Sequence, residues 1–153
     1  MLYYLESVLV GIYSSIVYLV ASRLYTGGYM VFFITGFLKH LFGYLTTLHT
    51  WYCNYGYACY NISHPAYAVY SNNPTYAIYS NYLVVECIIE GALFLGIGST
   101  LSTFIRDPII ISFITGVGLH LLFEALYLHR MFCVSRCKSV SYTHLTLPTN
   151  REV

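Results

Sequence analysis

Four stretches of the chain run apolar for long enough to cross a bilayer. At about 1.5 Å per residue, a spanning helix needs about 20 mostly apolar residues. Residues 2–22, 29–50, 83–105 and 109–129 supply them. Ser7–Ser22 and Gly91–Ile105 hold no charge at all, whereas Lys39 interrupts the second stretch and Glu124 the fourth. Helices of a water-soluble core would need polar outer faces, and none of the four shows one. The pattern predicts membrane-spanning helices. The start, Met-Leu-Tyr-Tyr-Leu-Glu, lacks the basic segment of a cleaved signal peptide.

The connections predict pairing. Stretches one and two join across 23–28, where Gly27-Gly28 breaks the helix. Stretches three and four join at Arg106-Asp107-Pro108, and Pro108 suits a first helical turn, where its missing N–H is not needed. Such short joins make antiparallel helical hairpins. Small residues recur at i, i+4 (Gly11 and Ser15, Ala92 and Gly96, Gly98 and Ser102), a spacing that lets backbones approach closely in lipid.

Self-similarity adds a second layer. Phe33-Ile-Thr-Gly36, His40-Leu41, Leu48-His49 and Cys53 recur as Phe113-Ile-Thr-Gly116, His120-Leu121, Leu128-His129 and Cys133. The offset is 80 throughout, with nine identities in the 21 positions from Phe33 to Cys53. Glu6 and Glu86 keep the same offset. We read the hairpin as duplicated. Each unit has an even number of spans, so both copies insert the same way up. The expected fold is all-α and integral to the membrane: four transmembrane helices as two tandem, parallel hairpin repeats.

The organisation read from this is a first hairpin at 1–50, an uncharged tyrosine-rich loop at 51–81, a second hairpin at 82–139 and a tail at 140–153. Within the loop, Pro65-Ala-Tyr-Ala-Val-Tyr-Ser-Asn72 matches Pro74-Thr-Tyr-Ala-Ile-Tyr-Ser-Asn81, and tyrosine favours the headgroup layer. The tail is different. Its run Val140-Ser-Tyr-Thr-His-Leu-Thr-Leu-Pro-Thr149 is the translation of a transposase-tagmentation sequencing adaptor, and a short index plus constant adaptor bases accounts for the rest. We read 140–153 as adaptor-encoded and not native, and the chain as a fragment truncated after Ser139.

Composition agrees with lipid. Hydrophobic residues make up 58% of the 153, charged residues 8%, and net charge is +1. Mean hydropathy is +0.62. A soluble domain carries about 25% charged residues, and a near-neutral chain has no basic field for nucleic acid. The expected partners are the bilayer and, within it, further copies of the chain or other membrane proteins. Arginines lie at both ends of the helices, so the positive-inside rule assigns no orientation.

Ionisable groups inside a membrane are costly and mark function. Glu6, His49, Glu86 and His129 fall at helix ends that antiparallel packing brings to one face. Cys53 and Cys133 follow the two histidines at i+4, on the same helical face. His49, Cys53, His129 and Cys133 could then converge as a tetrahedral zinc or other transition-metal site, with Glu6 and Glu86 orienting the histidines. Sulfur alone offers an alternative, local disulfides Cys53–Cys59 and Cys133–Cys137. Lys39, His40, Glu90, His120 and Glu124 lie deeper, and Lys39 calls for a glutamate from a neighbouring helix. Haem is disfavoured. His40 and His49 are nine residues apart, which on a continuous helix puts them on opposite sides.

There is no phosphate loop, no G-x-S-x-G, no H-E-x-x-H and no C-x-x-C, and no motif in residues 1–139 identifies a family. The first expectation is a small membrane protein serving membrane organisation or assembly without catalysis of its own. The alternative is metal-dependent redox chemistry, or ion or proton transport, on the Glu/His/Cys face.

Overall fold

The structure, a computed structural model, describes residues 3–59 and 82–137, without the side chains of Ser135 and Arg136. The tyrosine repeat and the 140–153 tail lie outside the described residues. Those described are helical, with no strand among them. In order they are α1 (Tyr3–Leu24), α2 (Met30–Leu45), α3 (Leu48–Tyr55), α4 (Leu83–Leu101), α5 (Pro108–Ala125) and α6 (Leu128–Arg136).

Three of these, α1, α4 and α5, are long and apolar enough to cross a membrane. There are four if α2 and α3 make one broken span. That break departs from the continuous second helix expected from sequence. Thr47 takes a left-handed φ of 61°, and α3 leaves the line of α2 by 74°. The fourth stretch breaks in the same way. Tyr127 has φ 59°, and α6 begins after it. The segment expected to be loop from residue 51 therefore starts as helix, through Tyr55.

Local chemistry sets the other ends. At the α1–α2 turn Gly28 adopts φ +54°, which glycine takes without steric cost. At the start of α5 the Asp107 side chain accepts hydrogen bonds from the N–H groups of Ile109 and Ile110, at 2.8 and 3.4 Å, with Pro108 following it. That satisfies two of the orphan donors every helix start exposes.

The packing is crosswise. The most intimate pairs are α2 with α4 and α1 with α5, and the hairpin partners α1–α2 and α4–α5 touch less. Glycines permit it. A Cβ at Gly36 would lie 2.6 Å from the Glu90 carbonyl oxygen, and one at Gly116 would come 3.2 Å from the Gly11 Cα. The expected small pair Ala92 and Gly96 plays no part. Both are exposed, and a Cβ at Gly96 would meet nothing within 4 Å.

Polar residues join the apolar ones inside, and large apolar residues line the outside. Ser7, Ser14, Thr35, Ser112 and Thr115 are buried, as are Glu6 and His120. Leu5, Leu9, Ile12, Ile16, Leu19, Val84, Ile88 and Ile89 are exposed. Three of the buried hydroxyls bond back along their own helices: Ser7 Oγ donates to the Tyr3 carbonyl at 3.1 Å, and Ser14 Oγ to the Val10 carbonyl and Thr35 Oγ1 to the Val31 carbonyl, both at 2.8 Å. Helices with apolar outer faces, their backbone groups bonded within each helix, are what a bilayer demands. The chain has the make-up of a membrane protein.

Candidate functional site

The helix order brings the starts of α1 and α4, the ends of α2 and α5, and the short helices α3 and α6 to one end of the bundle. A cavity of about 510 Å³ opens there. Its walls include Glu6, Glu86 and Glu90, Lys39, and the four histidines among the described residues, His40, His49, His120 and His129. The rest is mainly apolar, with Leu9, Val10, Ile89, Leu119 and Phe123 among the lining.

Carboxylates and imidazoles meet in pairs. Glu6 on α1 faces His120 on α5, with Oε1 and Nε2 3.1 Å apart. The two atoms are out of line for a hydrogen bond. The other Glu6 oxygen accepts the backbone N–H of Tyr57 at 2.9 Å. Across the chamber, His40 on α2 lies between two carboxylates of α4, with Nδ1 2.8 Å from Glu90 and Nε2 3.3 Å from Glu86. A neutral imidazole has one N–H, so both contacts can be donated only by a doubly protonated ring. Glu90 also holds the Lys39 ammonium in an ion pair, and Lys39 lies over the Phe94 ring, 5.6 Å from its centroid. Lys39 thus finds the glutamate that its place in an apolar helix requires.

The helix breaks complete the chamber. With α3 turned back, the rings of His40 and His49 come to 4.9 Å, and with α6 turned back, those of His120 and His129 come to 4.4 Å. The opposite-side geometry expected for His40 and His49 is therefore wrong, because the helix does not continue through Thr47. Gly43 leaves room for the fold-back, since a Cβ there would sit 2.9 Å from His49 Nε2. On the other side Glu124 reaches over the break to His129 Nδ1, at 3.1 Å. The short helices also interlock: Tyr52 of α3 packs on His129 at 5.5 Å, and Phe132 of α6 on His49 at 5.8 Å.

The cysteines take another role than the expected one. Cys53 is bonded to Cys137 and Cys59 to Cys133, with Cα separations of 5.4 and 5.2 Å. The set His49, Cys53, His129 and Cys133 is not assembled. A sulfur in a disulfide is no thiolate ligand, and these sulfurs face each other, not the chamber. Local pairing fails as well. Gly56 is extended at φ −62°, ψ 139° and carries Cys59 across to α6, while Cys133 and Cys137 stand side by side at i, i+4. Cys87 is free and fully buried.

Of the residues named from sequence, Glu6, Lys39, His40, His49, Glu86, Glu90, His120 and His129 share the chamber wall. Glu124 borders it through His129. The Tyr57 amide and the interlocking pair Tyr52 and Phe132 were missed. They fall in stretches whose composition reads as interfacial loop or helix tail, and only the breaks before α3 and α6 bring them inward. No protein-family model matches the chain, and no curated protein or solved structure does either.

Proposed function

We propose that this is a small multi-pass membrane protein that passes protons through a carboxylate–imidazole chamber at one membrane face. One observation carries the reading: four histidines and three glutamates, drawn from both halves of the chain, line a single cavity in a bundle whose outer faces are apolar. Ionisable groups this deep are retained against a solvation cost. Histidine exchanges its proton near neutral pH, and each Glu–His contact here, between 2.8 and 3.3 Å, is one step of a length that a relay can use.

The tandem-hairpin reading belongs with this proposal. It is supported by equivalent features eighty positions apart: the Glu6–His120 and Glu86–His40 contacts, the left-handed residues Thr47 and Tyr127, and the stacked pairs His40–His49 and His120–His129. Duplication would supply two half-sites facing one space. A divalent metal ion is the other cargo such groups can take, and the two cargoes separate experimentally. A second reading, membrane organisation without chemistry, draws support from the close glycine contacts of α2 on α4 and α1 on α5.

Vesicles carrying the purified full chain, loaded with a pH-sensitive dye, decide among these. Proton entry under an imposed potential faster than in protein-free vesicles is the expected result. Zinc entry without proton entry would replace the proton by a metal cargo. No entry of either would overturn transport and leave the organising role.

A further inference from the structure

We propose that the four cysteines clamping α3 to α6 form, when reduced, a closed tetrathiolate site for one zinc ion. This site is separate from the chamber and independent of the proton reading. The sulfurs of Cys59, Cys133 and Cys137 all lie within 4.8 Å of one another, and Cys53 is bonded to Cys137. The two bridges lie side by side, with Cys59 Sγ and Cys137 Sγ 3.6 Å apart. In a tetrahedral site with zinc–sulfur bonds of about 2.3 Å, neighbouring sulfurs stand roughly 3.8 Å apart. The backbone already holds one such edge, and opening both bridges lets the other sulfurs retreat to the same spacing. Cys53, Cys59 and Cys133 are buried, beside the apolar Ala58, Tyr52 and Phe132. Four cysteine ligands, none left for water, is the make-up of a structural zinc site rather than a catalytic one.

The chemistry balances with a dithiol as reductant. Two dithiol molecules give four electrons and four protons to the two disulfides and leave as cyclic disulfides. The four thiols then lose their protons to solvent as zinc binds, each sulfur forming one zinc–sulfur bond. The chain thus keeps α3 and α6 joined in either redox state, by covalent bridges or by the metal.

Cobalt titration of the full chain in detergent tests this. The protein is reduced with dithiothreitol, freed of reductant without oxygen, and titrated with Co²⁺ as a spectroscopic stand-in for zinc. One equivalent should bind with the sulfur-to-cobalt charge-transfer band and the visible bands of a tetrahedral thiolate site, and Zn²⁺ should displace it. The unreduced chain should show neither band. The spectrum should persist in His49→Ala/His129→Ala and in Cys87→Ser, and vanish in Cys59→Ser/Cys133→Ser. A reduced wild-type chain that binds no stoichiometric cobalt, or binds it without thiolate bands, overturns the proposal whether or not the serine variant folds. So does a thiolate spectrum that survives Cys59→Ser/Cys133→Ser.

Discussion

The two sides of the chamber share a glutamate facing a histidine and differ in what stands beside it. On one side Glu6 meets His120, both almost wholly buried at 3% and 5% exposure, with Val10 and Leu119 as their apolar companions. On the other, Glu86 meets His40, and the positions eighty residues from Val10 and Leu119 hold Glu90 and Lys39. These two form an ion pair. The charged side is also the less tightly enclosed, with Glu86 26% exposed. One half-site is thus a bare carboxylate–imidazole contact in an apolar wall. The other adds a second carboxylate to the same imidazole and a fixed cation to balance it. The first side holds its carboxylate against the cost of burial with His120 and the Tyr57 N–H, the other with the neighbouring Lys39 charge.

The largest expected effect breaks that difference. Lys39→Leu leaves Glu90 without its cation and should cost about 3–5 kcal/mol, as for any buried pair stripped of one partner. Lys39→Leu with Glu90→Val installs the residue types of the bare side and should recover most of the loss. Thermal unfolding in detergent reads both, and a double variant as unstable as the single one would show that the two sides are not interchangeable frames.

Next comes the crosswise packing that both sides depend on. Gly36→Ala would push a Cβ against the Glu90 carbonyl, a rigid backbone neighbour, and should cost about 1–3 kcal/mol by overpacking. Gly116→Ala meets the Ser14 Oγ, which can turn away, and the Ser14 Cβ at 2.8 Å, which cannot, where Gly36→Ala meets backbone atoms alone, so its loss should be the smaller. Equal losses would mean that α2 on α4 and α1 on α5 yield alike.

How much of this the chain declares in advance varies with the physics involved. The helices follow from apolar run length, and the helix-breaking turns from Gly28 and from Asp107-Pro108, because both signals are local. Glu6, Glu86, His49 and His129 could be placed at one membrane face by counting helix ends. The breaks at Thr47 and Tyr127 could not. Neither residue favours a left-handed backbone, and only tertiary packing imposes it there. Those breaks decide the rest: they put His49 beside His40, carry Tyr52 and Phe132 inward, and turn Cys53 and Cys133 toward cysteines of the opposite half. The cysteine pattern was visible, but its partners depend on a fold-back that no spacing encodes.

The same breaks give the smallest expected effects. Glycine accepts φ near 60° without the penalty an L side chain bears, about 1–2 kcal/mol. Thr47→Gly should therefore stabilise by about 0.5–1 kcal/mol, and Tyr127→Gly by less, since threonine is β-branched and crowds the left-handed backbone more. A destabilised Thr47→Gly would show that the side chain itself holds the bend.

Proton entry into vesicles bearing Glu6→Gln, Glu86→Gln or both tests the central claim most directly, with correct folding checked by the intact cross-hairpin disulfides. Each glutamine keeps size and removes the exchangeable proton. Each single variant should conduct more slowly than wild type, Glu6→Gln more so because Glu6 is the carboxylate facing His120 whereas His40 keeps Glu90, and the double variant should fall to the rate of protein-free vesicles. A folded double variant that conducts at the wild-type rate would contradict the chamber as the path.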